Sequence, residues 1–131
     1  MLPFDQLMRE LAQYLGTPLA VNDGIYNMML QLPSGRHQSI SAIIRRNHNN
    51  VEVIDFVSTI GPIERTIDPW RLLAINSETT FCRVIANKGM LFVVATQLRE
   101  TAQPQEVLWM LREVAEVADK LEQQRGSGDE N

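Results

Sequence analysis

Two histidines, one cysteine and a pair of carboxylates are the residues of this chain whose chemistry could reach beyond packing. His37 and His48 lie ten residues apart, each near the end of an apolar alternating run. A metal centre gathers three or four ligands in one place. No HxH, HxxxH or CxxC spacing accompanies these histidines, so they read as surface residues and no metal site is expected. Cys82 stands between Phe81 and Arg83 in a strand-like run. A reactive thiol needs access and a lowered pKa, whereas a mid-strand cysteine reads as a buried structural residue. Arg83 would point to the other face of the strand. Glu52 and Asp55 also point to opposite faces, which makes a poor acid–base pair. Asp55 would reach the covered face only in the other register. No GxSxG, Walker or GxGxxG pattern is present, and Ser34-Gly35-Arg36 is a turn and falls short of a phosphate loop. The residues predict a protein that is no enzyme and carries no cofactor.

Composition describes an ordinary globular domain. The chain has 131 residues, 44% apolar and 21% charged, enough for one domain with a real core. Twelve basic against sixteen acidic residues give a net charge of −4, which does not favour nucleic acid, whose phosphates need a basic face. Arg45-Arg46 is the one adjacent basic pair and reads as a solvated strand end before a phosphate contact. Ten of the twelve basic residues are arginine, a residue suited to interfaces. A single cysteine suits a reducing compartment. The N-terminus shows no charged-then-apolar leader, and no apolar run approaches the roughly 20 residues of a membrane span. The expectation is a cytoplasmic protein with no membrane insertion.

The elements that would position these residues follow from periodicity. Phe4, Leu7, Met8, Leu11 and Leu15 form one stripe of a helix over 3–15, stopped at Gly16 before Thr17-Pro18. Leu19-Ala20-Val21 leads into the turn Asn22-Asp23-Gly24. Three alternating strands follow, over Ile25–Leu32, around Ile40, Ala42 and Ile44, and over Val51–Ile60. Asp68-Pro69 opens a short helix with Asp as cap and Pro at the first position, and Asn76 is expected to close it. Phe81–Ala86 and Met90–Ala95 form a hairpin across Asn87-Lys88-Gly89, apolar enough to suggest central strands covered on both faces. Val107, Leu111, Val114, Ala118 and Leu121 repeat along a last helix over 104–123, whose apolar stripe is wider than one core face needs. Trp109 falls on its other side, either as an isolated exposed residue or as a contact anchor. Met8, Met28, Met29, Met90 and Met110 are either core fillers or an adaptable binding surface. The predicted fold is α+β, three helices packed on an antiparallel sheet in the order α-βββ-α-ββ-α. Residues 1–124 form a single domain, and the polar segment 125–131 reads as a disordered tail.

Several of these residues also carry a resemblance. Leu15-Gly16-x-Pro18-Leu19, Asp23-Gly24, Ser58-x-Ile60-Gly61, Leu72-Leu73-x-x-Asn76, the strands flanking Asn87-Lys88-Gly89, Leu98, and Val107-x-x-x-Leu111-x-x-Val114 recur in this order. Over residues 4–122 the chain resembles the class I type III secretion chaperones of the Tir chaperone (CesT-like) group. It resembles the YbjN-like proteins equally, which Ala118-Asp119 also matches. The resemblance implies a small acidic homodimer holding an extended segment of a client or effector protein. On that reading Phe4, Leu7, Met28 and Leu30 are expected to meet the client. Trp70, Leu73, Ile75, Phe81 and Phe92 are expected to form the dimer interface. The alternative is a regulatory scaffold of the profilin-like or roadblock-like kind, which places two strands before the middle helix. Whether Val51–Ile60 is a strand decides between them.

Overall fold

A computed structural model of the chain describes residues 1–64 and 67–129, with side chains described as far as residue 124. The expected tail over 125–131 falls outside the described side chains, and residues 130 and 131 lie outside the described residues altogether. The elements are α1 (Phe4–Leu15), β1 (Leu19–Asn22), β2 (Ile25–Gln31), β3 (His37–Arg46), β4 (Glu52–Pro62), α2 (Pro69–Glu78), β5 (Cys82–Asn87), β6 (Met90–Leu98) and α3 (Pro104–Asp129). The six strands form one antiparallel sheet in the order β1-β2-β3-β4-β6-β5. The α+β architecture of three helices on an antiparallel sheet is therefore the observed one. Leu19–Asn22 adds a short edge strand to what the sequence suggested as a lead-in to a turn. Residues 52–62 do form a strand, so four strands precede the middle helix.

Local chemistry explains the joints. At the end of α1, Gly16 takes the left-handed conformation, and the N–H groups of Gly16 and Thr17 donate back to the carbonyls of Gln13 and Ala12. The two tight hairpins turn on Asp23-Gly24 and Lys88-Gly89. All four of these residues have positive φ, as a two-residue turn matching strand twist requires. The carboxylate of Asp68 accepts from the N–H of Trp70 at 3.0 Å, with Pro69 in the first turn of α2.

The core lies between one face of the sheet and the layer of α1 and α3. The stripe of α1 buries Phe4, Leu7, Met8 and Leu11, and α3 buries Val107, Leu111, Val114, Ala115 and Ala118. Beneath them lie Met28 and Leu30 of β2, Ile40 and Ala42 of β3, Ile54 and Phe56 of β4, and Val93 and Ala95 of β6. The width of the apolar stripe on α3 is used up here, because α3 packs on β3, β4, β5, β6 and α1. Tyr26 secures α1 with its ring edge-on to Phe4 and its hydroxyl donating to Asp5 at 2.7 Å.

Two expectations about the hairpin side change. β6 is interior, but β5 is the edge strand, so the run Phe81–Ala86 is not central. Asn76 does not close α2, which continues to Glu78 with Thr79 in extended conformation after it. Instead its amide pairs with the exposed edge of β5. It accepts from the N–H of Val84 at 2.6 Å and donates to the carbonyl of Val84 at 3.1 Å. A side chain thus satisfies backbone groups that an edge strand would otherwise offer to another chain.

Candidate functional site

The sheet has a second face, and among the described residues no helix packs across it. The strand registers place on it Met29 of β2, Ser41 and Ile43 of β3, Val57 and Thr59 of β4, Phe92, Val94 and Leu98 of β6, and Arg83 and Ile85 of β5. Met29, Ile43 and Leu98 are exposed, and Val57, Ile85 and Phe92 are half-buried. Val53 and Val94 also face this side and are buried among their neighbours. Apolar residues on both parities of β4 and β6 are what strands covered on two sides require. In the single chain only one side is covered.

A polar ladder crosses this face and holds its strands in register. The guanidinium of Arg45 on β3 forks onto the carboxylate of Asp55 on β4. The hydroxyl of Thr96 on β6 donates to Asp55 at 2.7 Å, and Arg83 on β5 donates to that hydroxyl at 3.2 and 3.3 Å. Asp55 therefore lies on the open face, opposite the core register of Ile54 and Phe56. Its carboxylate favours the charged form of Arg45, raising the arginine above its ordinary pKa. The ladder binds charge to charge within the protein and sets no base beside a nucleophile.

Beside the β5 end of the sheet, α2 turns Leu72 and Ile75 toward the core and leaves Trp70 78% and Leu73 59% exposed. Phe81 is exposed at the start of β5, and Phe92 sits half-buried on the open face. The residues expected at a dimer interface are thus surface residues, except that Ile75 is partly packed on the core. The residues expected to meet a client are not. Phe4, Leu7, Met28 and Leu30 all belong to the core, because the stripe of α1 packs inward on β2. These four side chains are therefore not part of the surface. Met29, one of the five methionines weighed as fillers or binding surface, lies on the open face, and Ile43, also on that face, is the residue sequence reasoning missed. The signal was the unbroken apolar pairs Met28-Met29 and Ile43-Ile44, which put an apolar residue on each face.

The residues with chemical potential are scattered. His37 and His48 are exposed, one at the start of β3 and the other beyond its end. Among the described residues no group of three or more His, Cys, Asp or Glu could hold a metal ion. Cys82 is buried on the core face, paired with Ala95. Burial, and then the neighbouring carboxylate of Glu113, push its thiol up to about 12, the reverse of what a nucleophile needs. Glu113 has a structural role that its sequence position did not announce. From α3 its carboxylate accepts the N–H groups of Thr80, Phe81 and Cys82 at 2.9, 2.7 and 2.8 Å, pinning the α2–β5 connection. Burial alone would raise its pKa, but the three backbone donors outweigh burial and hold it below the ordinary carboxylate value.

Comparison with known proteins adds the fold. No sequence-family profile and no curated protein sequence matches the chain significantly. Among solved structures, a chain from the structure of the HopA1–SchA chaperone–effector complex superposes with a TM-score of 0.66 at 13% identity. The match covers 92% of this chain and 93% of that one. At that identity the likeness is one of fold. The architecture expected from the resemblance to secretion chaperones is the architecture this chain has.

Proposed function

We propose that the chain is a non-enzymatic, chaperone-like binding protein that acts as a homodimer and holds an extended segment of a client or effector protein. The observation that carries this reading is the open sheet face. An apolar surface on interior strands, rimmed by hydroxyls, the Arg45–Asp55 ion pair and Arg83, is what a partner segment covers. Met29, Ile43, Val57 and Leu98 make the client surface, in place of the four core residues. Trp70, Leu73, Ile75, Phe81 and Phe92 make the dimer surface. The fold shared with a chain of a chaperone–effector complex supports the reading.

No helix among the described residues is long and apolar enough to cross a membrane. The proposal has the protein work in the cytoplasm, without cofactor, nucleic acid or membrane insertion. The scaffold alternative fits less well, since four strands rather than two precede α2. Secretion-type and YbjN-like branches differ in partner, so a dedicated client would place the chain in the first.

Capture from native cells with the tagged protein and an Ile43→Asp variant tests the client surface. The expected result is one abundant partner retained by the parent and lost by the variant. Equal retention by both, or no partner on either, would contradict it.

A further inference from the structure

The helical layer carries a groove that the open sheet face does not explain. Trp109 on α3 and Tyr14 on α1 are 59% and 76% exposed, although both belong to helices whose other sides fill the core. Tyr14 lines two recesses, each of about 620 Å³. One runs past Trp109 between the C-terminal part of α1 and the start of α3, with Gln103 and Gln105 on its wall. The other lies between α3 and the β2–β3 turn. The two aromatic rings line the first recess together, on the side of the molecule away from the open face.

Charge chooses the occupant. Glu10 and Glu106 line the first recess and Glu116 the second, against one basic residue, Arg112. That guanidinium is already stacked on Trp109, 5.6 Å from the ring centroid. None of the three carboxylates is in an ion pair among the described residues. Exposed aromatic rings anchor apolar side chains, and carboxylates whose charge no ion pair offsets, Glu10 among them although it accepts from the Gln6 amide, favour a cationic partner over an anionic one. The glutamine amides can donate to and accept from an extended main chain. A second copy of this chain, with net charge −4, is the poorer electrostatic match.

We infer that the α1–α3 groove is a second docking surface, which takes an extended, basic peptide segment with an apolar side chain seated between Tyr14 and Trp109. The inference stands apart from the open-face reading, because its residues lie on the other layer.

The test uses a short fluorescein-labelled peptide of repeating lysine, proline and leucine, with a glutamate-for-lysine control, and reads fluorescence polarisation on the full chain. The basic peptide should bind and the acidic one should not. Trp109→Ala and Glu106→Lys should each weaken binding about tenfold or more, while thermal melting shows both variants folded. Ile43→Asp should leave this binding unchanged. Equal binding of the two peptides, binding indifferent to Trp109→Ala, or no binding of either would overturn the inference. So would loss of binding in Ile43→Asp, which would put the probe on the sheet face. A smaller solution mass for Trp109→Ala would make the occupant a second copy and overturn it as well.

Discussion

Phe56 and Val57 are neighbours on β4 that face opposite ways. Phe56 is fully buried beneath the helical layer, paired with Ala42 and Ala95. Val57 looks out between Ser41 and Val94, and no helix covers it. The same strands thus build two unlike surfaces, one largely apolar and one that mixes apolar residues with a polar ladder. One is closed by α1 and α3, and the other is stitched by Arg45, Asp55, Thr96 and Arg83 and left open. A chain that needed only to fold would place polar residues across its second face. Met29, Ile43 and Leu98 stay exposed there instead, and the proposed function makes them a partner's surface.

The largest expected effect separates the two faces. Phe56→Ala should cost about 3–5 kcal/mol of stability in urea unfolding, through the cavity it leaves. Val57→Ala should cost about 1 kcal/mol or less in the isolated chain. Equal losses would mean that both faces are core and would break the comparison.

Next comes the joint between the layers. Glu113→Ala leaves three backbone donors without their acceptor and should cost about 1–3 kcal/mol in the same assay. Its pH dependence sharpens the point. The folded pKa of Glu113 is depressed below its ordinary 4.5, so its stabilisation is present above that value and is lost as the pH falls through the folded pKa. Glu113→Gln should therefore flatten the acid limb of the stability curve below about pH 4.5. Asp119, held below its ordinary value chiefly by the Arg36 guanidinium, keeps part of that limb in the variant. An unchanged limb would remove Glu113 from the account.

Asn76→Ala should cost about 1–2 kcal/mol and promote aggregation, because it bares the β5 edge at Val84. A fully monodisperse variant of parent stability would show that this edge needs no guard. The smallest effect is kinetic. Cys82 should alkylate far more slowly than an ordinary thiol at neutral pH and react at the ordinary rate in urea, since burial and the Glu113 carboxylate raise its pKa to about 12. Fast labelling of the folded chain would reopen the question of a nucleophile.

Much of this architecture was legible in the sequence because it rests on local rules. Asp68-Pro69 opens a helix, Asp23-Gly24 and Lys88-Gly89 turn hairpins, and the stripe from Phe4 to Leu15 forms a helix wherever it packs. What was not legible depends on distant neighbours. Asn76 reads as a helix stop until β5 arrives beside it, and Glu113 reads as a solvated glutamate until the α2–β5 connection presents its N–H groups. The candidate site suffered most. An apolar stripe on α1 looks the same whether it meets a client or the sheet, and Phe4 and Leu7 turned inward. Strand parity placed Ile44 inside, and the outward apolar Ile43 beside it was the clue to the open face.

The central claim is that the apolar residues left outside the core exist to be covered. Light scattering of the purified chain, run beside Leu73→Asp, tests it most directly. The account predicts twice the chain mass for the parent, and monomer or aggregate for the variant. A monodisperse monomeric parent, or a variant of unchanged dimer mass, would contradict it.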